Sequence, residues 1–279
     1  MSYKASIIIS FYNKISLLKF IFAALERQTL MDFEVVIADD GSSKEVVSEL
    51  ESILNNYSFP IRHIWHEDDG WQKNRILNKA VIASKSDYLI FIDADCIPHP
   101  LFVQEHIESR RQNQVVSGRS VMLTEKISKE LTLEKVQNGY LDMKVIFPLA
   151  FESISSSYKT CFENIIRIRN PYLRRLLIKD KVKGFWGCNF SIYKVNILKV
   201  NGFDERFVYP GFGEDIDLER RLERIGVLSI SKKHMVTQCH FYHIHFDLLH
   251  KPNLILHAEN NENEVTYTPF GLNKTHVEK

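Results

Sequence analysis

Two carboxylates directly follow an apolar run in the segment SDYLIFIDADCIPHP (Ser86 to Pro100). Tyr88 to Ile92 is typical of a buried strand, and Asp93 and Asp95 come at its end. Burying unpaired carboxylates is costly, so the pair needs a partner that supplies positive charge. In an extended segment residues i and i+2 face the same side, about 7 Å apart. This pattern suits a divalent cation such as Mn²⁺ or Mg²⁺ with substrate phosphates, although an exposed acidic turn would give the same letters.

A second pair of carboxylates, Glu214 and Asp215, stands in GFGEDIDLERRLERIG. Gly211 and Gly213 permit a tight turn, and the apolar spacing after them predicts a helix that begins near Glu214. Carboxylates in a first helical turn are stabilised by the helix dipole, so they could simply be caps. A carboxylate held at a glycine-rich helix start could equally accept a proton from an attacking hydroxyl group.

Three histidines, His240, His243 and His245, occur within six residues in CHFYHIHF. Alternating histidines on a strand could be partly buried structural residues. Their density also indicates that one of them completes a metal site, and His243 is preferred to His245.

The elements that must position these residues alternate in type over the first 110 residues. The strand signals are ASIIISF, FEVVIAD, IRHIWH and YLIFIDAD, and the helix signals between them are ISLLKFIFAALERQ, KEVVSELESIL and WQKNRILNKAVIAS. Continuous apolar strands between helices indicate a parallel sheet covered on both faces, with the ligand site beyond the carboxyl ends of the strands. Polar residues that follow three of these strands are therefore expected to converge on one crevice. They are Ser10, Tyr12, Asn13, Asp39, Asp40, Asp93 and Asp95.

The pattern changes after Pro100. PLFVQEHIESRRQNQ predicts a helix and VVSGRSVML predicts one further strand, whereas residues 124–183 carry no clear sheet signal. The later part of that segment interleaves basic and apolar residues. It could dock an anionic or lipid-linked acceptor at a membrane surface, or form a plain solvated helix. The polar residues after Pro252 are expected to fray, or to fold only against a partner.

The composition and the motif content argue against several classes of function. The 279 residues are 44% hydrophobic and 25% charged, with a formal net charge of +1, which gives no indication of nucleic-acid binding. The four cysteines form no CxxC pair, which argues against a zinc ribbon or a disulfide framework. We expect no signal peptide and no membrane span, and hence a cytoplasmic location. Dinucleotide, P-loop and GxSxG motifs do not occur in the sequence.

Taken in order, these segments resemble the family 2 glycosyltransferases, which have the GT-A fold. SIIISFYN is similar to the family's first strand and loop, with Ser10 and Phe11 in place of the usual Pro-Thr. IADDGSS, DDGWQKNRILNKA and FIDADCIP resemble the next three motifs. GFWGCNFSIYKVNILKVNGFDERFVYPGFGEDIDLERRL is the most specific stretch, and it resembles the β-1,4-galactosyltransferase-type region shared with bacterial capsule and chondroitin-type polymerases. The resemblance runs from about Ser6 to His245.

The resemblance implies a Rossmann-like α/β fold, with a mostly parallel central sheet flanked by helices and a smaller acceptor-side region. Residues 1–123 would form the nucleotide-sugar-binding half and 124–183 a variable, mostly helical insert. Residues 184–250 would form the acceptor and catalytic-base half of the same domain, and 251–279 a C-terminal tail.

The resemblance also implies roles for the donor-side residues. Tyr12 and Asp40 would hold the uracil and ribose of a UDP-sugar, and Asp93 would lie against the ribose and diphosphate. Other positions that would approach the donor are Ser10, Asn13, Arg75 and Asn78.

On the other side of the site, the resemblance makes Asp95 and His243 ligands of the metal. Asp215 would be the catalytic base and Glu214 would hold the acceptor sugar. Trp186 could stack on a sugar face or pack in the core.

The implied function is metal-dependent transfer of a hexose-type sugar from a UDP-sugar to a saccharide acceptor, which could be lipid-linked, in bacterial surface polysaccharide synthesis. Mn²⁺ or Mg²⁺ would be the cofactor, and the protein could contact the inner face of the membrane peripherally. One base and no second carboxylate as nucleophile predict inversion at the anomeric carbon. Two alternatives stay open, namely a phosphatase of the haloacid-dehalogenase type and a non-catalytic nucleotide-sugar-binding protein.

Overall fold

A computed structural model describes residues 3–155, 160–178, 181–243 and 249–274 of the chain. The strands are β1 (Ala5–Phe11), β2 (Phe33–Asp39), β3 (Ile61–Trp65), β4 (Tyr88–Asp93), β5 (Cys96–Pro98), β6 (Gln114–Ser117), β7 (Arg119–Met122), β8 (Lys181–Val182), β9 (Asn189–Tyr193), β10 (Leu228–Ser231) and β11 (Thr237–His240). The helices are α1 (Ile15–Leu25), α2 (Lys44–Ile53), α3 (Lys73–Ala83), α4 (Phe102–Ser109), α5 (Glu125–Glu130), α6 (Leu133–Gln137), α7 (Ile146–Ser155), α8 (Pro171–Leu177), α9 (Lys194–Lys199), α10 (Glu214–Arg224) and α11 (Lys251–Glu262).

The central sheet has the strand order β3-β2-β1-β4-β9-β6-β10-β8. Its first four strands are mutually parallel, and β4 then pairs antiparallel with β9. The chain builds outward from β1 to β3 and returns to place β4 on the other side of β1. Such a reversal of strand order opens a crevice between the loops that follow the two neighbouring strands, β1 and β4.

Alternate residues of the central strands pack against different helix layers, as period 2 requires. Ile7 and Ile9 of β1 are fully buried against α1, whereas Ile8 between them is buried in a second cluster with α3. Both faces of β1 are therefore covered. This explains why the strands at the centre of the sheet read as unbroken apolar runs.

The segment VVSGRSVML was predicted to be one strand, and this prediction is wrong. The chain leaves the central sheet after β6 and enters a second sheet, of order β5-β11-β7, as β7. Gly118 lies at the change of sheet. A Cβ atom there would come within 2.3 Å of the Val236 carbonyl oxygen and of the Asn189 side chain. A residue with a side chain does not fit at that crossing, and the missing Cβ lets the two sheets meet.

The small sheet is covered by α1 and by the segment that follows β7. Within the described part of residues 124–183, the chain forms α5 to α8 with short 3₁₀ and π turns and the two-residue strand β8. Leu149 of α7, Val136 of α6 and Val121 of β7 lie in one buried cluster. None of the helices among the described residues combines the length and the apolar character needed to cross a membrane.

The C-terminal residues were expected to fray, and for the described part this is wrong. Helix α11 packs against α10, and Asn260 of α11 donates a hydrogen bond of 2.8 Å to Asp217. Asp217 in turn accepts a 2.8 Å hydrogen bond from Arg221, which is fully buried. The Arg221 guanidinium also donates to the carbonyl oxygens of Val200 and Gly202. A polar network thus fixes α10 to its surroundings.

Candidate active site

A cavity of about 700 Å³ opens at the carboxyl ends of β1, β2 and β4. Its volume lies in the range of about 300–1,000 Å³ that is typical of small-molecule sites. The polar residues that line it are Ser10, Tyr12, Lys14, Asp40, Asp68, Lys73, Asp93 and Asp95. Five of these eight were predicted from the ends of strands, and Lys14, Asp68 and Lys73 were not.

The two consecutive aspartates after β2 have different environments. Asp39 is fully buried, and one of its oxygens lies 2.9 Å from Nε2 of His63. Asp40 lines the cavity, where it contacts Nε2 of His66 at 2.9 Å and accepts a 3.0 Å hydrogen bond from the backbone N–H of Gln72. Burial raises the pKa of Asp40, although these two contacts oppose the shift. Asp40 can therefore accept a hydrogen bond from a ligand in the cavity.

The loop after β1 supplies two polar groups to the same cavity. The Ser10 hydroxyl donates a hydrogen bond to Asp93 on the neighbouring strand. The Tyr12 ring is half exposed, and its hydroxyl donates to Asp68 at 3.1 Å. That hydrogen bond raises the pKa of Tyr12. A half-exposed aromatic ring at the mouth of a cavity is available for stacking on a planar ligand.

Three of the predicted donor-side residues do not line the cavity. The Asn13 side chain accepts a 2.9 Å hydrogen bond from the backbone of Ser43 and so joins the β1 loop to the start of α2. The Asn78 amide donates to the carbonyl oxygen of Phe203 at 2.9 Å, which makes it a support of a distant loop. Arg75 lies on α3 and is partly exposed.

Lys73, the first residue of α3, is a functional candidate that the sequence analysis missed. Its ammonium nitrogen lies 3.0 Å from Oδ1 of Asp93. Burial alone would lower the pKa of Lys73, but the carboxylates of Asp93 and Glu214 raise it. Burial would raise the pKa of Asp93, yet Lys73 and the Ser10 hydroxyl hold it below its usual value. Both groups are therefore charged at neutral pH.

The two aspartates of FIDAD were predicted to lie in one extended segment, and this prediction is wrong. Strand β4 ends at Asp93, and Asp95 lies in the turn between β4 and β5. The turn is fixed by a 3.0 Å hydrogen bond from the backbone N–H of Ala94 to the carbonyl oxygen of Ser10. Both carboxylates still reach the same cavity, but they face different neighbours.

Among the residues that the structure describes, Asp95, His240 and His243 form a group that could hold a metal ion, with candidate ligand atoms within 4.8 Å of one another. Nε2 of His240 lies 3.5 Å from one oxygen of Asp95, and Nε2 of His243 lies 3.8 Å from the other. His240 ends β11, which pairs with β5 directly after Asp95. This pairing brings the two segments together. His245 lies outside the described residues.

The side chain of His240 is oriented as a metal ligand would be. Its Nδ1 lies 2.7 Å from the carbonyl oxygen of Phe241, which can only accept, so Nδ1 carries the proton. Nε2 then presents its lone pair toward Asp95. One carboxylate and two imidazoles suit a divalent transition-metal ion. The residues present therefore fit such an ion, with His240 as a ligand that the sequence analysis had not chosen.

The second pair of carboxylates begins α10, as the sequence predicted. Gly213 precedes Glu214 with φ +120°, and a Cβ atom there would come within 2.7 Å of the Phe207 ring. Glycine is needed for both reasons. The helix therefore starts abruptly at Glu214.

The carboxylates of Glu214 and Asp215 are held differently. Asp215 accepts hydrogen bonds from the backbone N–H groups of Gly187, at 3.1 Å, and Ile216, at 2.8 Å. Oε2 of Glu214 is buried and makes no hydrogen bond with the described residues. Burial raises the pKa of Asp215, and burial together with the Asp215 charge raises that of Glu214 to about 7. Lys73 opposes both shifts.

Trp186 precedes the glycine that contacts Asp215. Its ring is partly exposed, and the guanidinium carbon of Arg119 lies 5.7 Å from the ring centroid. Packing in the core was one of the two predicted alternatives, and it applies only to the part of the ring that is buried. The exposed part is available to a ligand beside the carboxylate pair.

A Rossmann-like sheet with a cavity at its switch point and carboxylates at the strand ends is typical of the GT-A class of glycosyltransferases. The model of the glycosyl transferase family 2 matches residues 6–195, and the chain belongs to this family. A model described as the N-terminal domain of galactosyltransferase matches residues 172–245. These matches confirm the predicted family and the assignment of the chain as a glycosyltransferase.

Curated relatives match most of this chain, but only a part of their own length. Chondroitin synthase from Escherichia coli is 29% identical over 228 residues, which are 79% of this chain and 32% of that protein. Validoxylamine A glucosyltransferase from Streptomyces hygroscopicus is 27% identical over 251 residues, 82% of this chain and 53% of that protein. This chain therefore spans about a third to a half of these two relatives.

Solved structures with the same fold confirm the predicted GT-A architecture. The 1-349 fragment of S. aureus TarS in complex with UDP superposes with a TM-score of 0.53 at 13% identity, covering 87% of this chain and 61% of that one. The mannosyltransferase PcManGT from Pyrobaculum calidifontis, in complex with GDP-Man and Mn²⁺, gives 0.55 at 14% identity, covering 86% and 57%. At these identities the likeness concerns the fold.

Proposed function

We propose that this protein is an inverting, metal-dependent glycosyltransferase that moves a hexose-type sugar from a UDP-sugar to a saccharide acceptor. One arrangement carries the proposal. The cavity at the ends of β1 and β4 carries the Asp95 cluster at its wall, while Lys73 joins Asp93 electrostatically to the Glu214–Asp215 pair. On this proposal, a donor site, a cation site and a candidate base would share one cleft.

The nucleoside of the donor would lie between Tyr12 and Asp40. Tyr12 offers a half-exposed ring, and Asp40 offers a carboxylate that is fixed by His66. Asp93, held by Ser10 and Lys73, would lie against the ribose and the diphosphate. The TarS and PcManGT structures, which contain UDP and GDP-Man, support a nucleotide-sugar donor in this fold.

The leaving diphosphate would be neutralised on two sides. Asp95, His240 and His243 would hold a divalent ion, and the carboxylate and imidazole ligands favour Mn²⁺ over Mg²⁺, which prefers oxygen alone. When bound, the ion would supply positive charge where negative charge develops on the leaving group. Lys73, which lines the same cavity, would add a second cation.

Asp215 would take the proton from the acceptor hydroxyl. Two backbone N–H groups hold its carboxylate, whereas Glu214 keeps one buried oxygen without a hydrogen bond to the described residues. That oxygen would accept a hydrogen bond from the acceptor sugar. The exposed part of the Trp186 ring would stack on the same sugar. Attack by one activated hydroxyl on the face opposite the diphosphate gives inversion.

The acceptor and the setting of the reaction are further parts of the proposal. The similarity to chondroitin synthase, which by name makes a polysaccharide, supports a saccharide or glycolipid acceptor in bacterial surface polysaccharide synthesis. We propose that the enzyme works in the cytoplasm, in peripheral contact with the inner face of the membrane. Nothing in the overall charge calls for nucleic acid as a partner.

The experiment that tests the proposal is a donor screen that scores UDP release from a panel of UDP-sugars, with Mn²⁺ and simple saccharide acceptors. We expect one or a few donors to give acceptor-dependent release, and ¹H NMR of the product to show the inverted anomer. Hydrolysis of a generic phosphate monoester without need of a UDP-sugar would favour the phosphatase alternative. Binding of UDP without turnover for any acceptor would favour the non-catalytic alternative.

A further inference from the structure

Helix α8 has the reverse of the polarity expected of a surface helix. Its apolar side chains point outward, with exposed fractions of 83% for Tyr172, 79% for Leu176, 65% for Leu177 and 48% for Leu173. Its buried side chain is Arg174, whose guanidinium donates to the backbone carbonyl oxygens of Ile168 and Lys233. An arginine thus anchors the helix while its leucines face outward.

Such an arrangement needs an explanation. Removing leucine side chains from water stabilises a protein, and a helix normally turns its leucines inward for this reason. Contiguous exposed apolar surface of this kind marks a contact with another apolar phase or partner. The outward face of α8, formed by Tyr172, Leu173, Leu176 and Leu177, is called the α8 face below.

Basic residues are frequent in the stretch of sequence that contains the α8 face. The stretch Ile165 to Lys183 contains seven Lys or Arg residues and one Asp, in a chain whose formal net charge is +1. Within that stretch Arg167 and Arg169 form ion pairs with Glu105, so they serve the fold. Arg175, Lys181 and Lys183 are exposed. The apolar face is therefore flanked by cations that point to solvent.

We propose that the α8 face docks on a bilayer that contains anionic lipid. The exposed leucines would enter the boundary between headgroups and acyl chains, while Arg175, Lys181 and Lys183 would lie at the level of the phosphates. An anionic glycan or a nucleic acid would use the cations but would leave the leucines in water. A second copy of this chain would bring like charges together. A bilayer with anionic lipid would contact both the exposed leucines and the exposed cations.

A short stretch of chain joins the α8 face to the acceptor side of the cleft. After α8 the chain runs through β8 to Trp186, whose neighbour Gly187 contacts Asp215. The nine residues from Leu177 to Trp186 reach at most about 30 Å. The docked face would therefore hold the acceptor side near the membrane, which suits a lipid-linked saccharide. That last consequence rests on the proposed transfer reaction, whereas the docking, which names a surface for the membrane contact proposed above, does not.

Flotation with vesicles tests the docking. We expect the full chain to float with vesicles of phosphatidylcholine and phosphatidylglycerol, and to stay behind with phosphatidylcholine alone. The double variant Leu176→Gln/Leu177→Gln should lower the partition coefficient about tenfold or more. Neutralising Arg175, Lys181 and Lys183 to Gln should lower it by about fivefold for each charge, and salt should weaken binding by the wild type.

The matched control is the pair Val195→Gln/Leu198→Gln on α9, where the side chains are 48% and 46% exposed. It should leave flotation unchanged, and all variants should keep the thermal midpoint of the wild type because the replaced side chains are exposed. Failure of the wild type to float with anionic vesicles would overturn the proposal. So would equal losses in the α8 and α9 variants, or a leucine-dependent dimer in sedimentation velocity without flotation.

Failure of the docking and failure of the proposed function can be told apart. The variant Asp215→Asn should float like the wild type, because Asp215 is not part of the α8 face. Conversely, Leu176→Gln/Leu177→Gln should keep UDP release with a simple water-soluble acceptor. Flotation that requires Asp215 would refute an independent lipid surface.

Discussion

The two sides of the cleft are built in different ways. On the proposed donor side, Ser10, Asp40 and Asp93 lie at the carboxyl ends of neighbouring parallel strands, and all come from the first 95 residues. On the opposite side, Asp215 and His240 come from segments more than 100 residues later and are held by contacts with distant backbone. The sheet alone positions the residues of the donor side, whereas those of the acceptor side are positioned by the packing of separate segments.

The comparison predicts that changes on the two sides affect different kinetic constants. The largest effect should come from Asp215→Asn, which removes the base and should lower kcat by about 10²–10⁴-fold. The KM for the UDP-sugar should stay near that of the wild type, because the donor side is untouched. Steady-state kinetics of UDP release measure both constants.

The control for this variant is Glu223→Gln on the same helix, where the carboxylate pairs with Arg220 at the surface. It should have nearly wild-type kcat. If Asp215→Asn retained full turnover while Glu214→Gln lost it, the assignment of the base would move by one residue.

The second largest effect should concern the metal. His240→Ala removes a ligand from the group with Asp95, so the Mn²⁺ concentration for half-maximal activity should rise about 10–100-fold. His234→Asn serves as the control, since His234 has φ +62° and asparagine tolerates that conformation. An unchanged Mn²⁺ titration for His240→Ala would exclude this residue, and the same titration of His243→Ala would then decide which histidine binds.

A smaller effect, on the KM for the UDP-sugar, should test Lys73 as a cation on the donor side of the cleft. Lys73→Met keeps most of the side-chain volume but loses the charge beside Asp93, and the KM for the UDP-sugar should rise about tenfold. Arg75→Met, two residues further along α3, should change it little because Arg75 does not line the cavity. Equal increases in KM for both variants would support the sequence-based prediction that Arg75 approaches the donor.

The smallest effect concerns stability rather than turnover. The pKa of Glu214 is raised by burial from 4.5 to about 7, so the folded state holds this proton in a range where the unfolded state has lost it. Stability should fall as pH rises between these values, and the cost should be complete above about pH 7.

In the protein without ligands, Glu214→Gln removes this cost. Its thermal midpoint should exceed that of the wild type by about 3 °C at about pH 8, with no gain at about pH 4.5. Glu51→Gln, at an exposed position of α2, should show no such dependence on pH. A gain of equal size at both pH values would assign the effect to packing instead of ionisation.

Much of the donor side could be predicted from the sequence because it depends on local patterns. An apolar run followed by an aspartate gives a strand and the point where it ends, and parallel strands end at one edge. Asp40 and Asp93 were found in this way. Lys73 was not, because nothing in QKNR distinguishes the lysine that faces the cavity from the neighbouring arginine that does not.

The rest of the fold depends on long-range contacts that leave no local pattern. The strand through VVSGRSVML breaks at Gly118 because the backbone of Val236 passes close by, which the local sequence does not reveal. Helix α11 buries Asn253 and Asn260 while Ile255 is half exposed, so its pattern of apolar residues does not predict a packed helix. His240 was one of three clustered histidines and was not the preferred one, because the sequence does not reveal that its strand pairs with β5 beside Asp95.

The buried network around Arg221 has a consequence for protein engineering. Arg221 binds carbonyl oxygens that precede α10 in the chain, and through Asp217 it is joined to Asn260, which follows α10. Helix α10, which carries the proposed base, is therefore joined to segments that precede and follow it in the chain. A chimera that exchanges acceptor preference between relatives should transplant residues 184–274 as one block, since a junction placed between α10 and α11 would separate Arg221 and Asp217 from their matched partner.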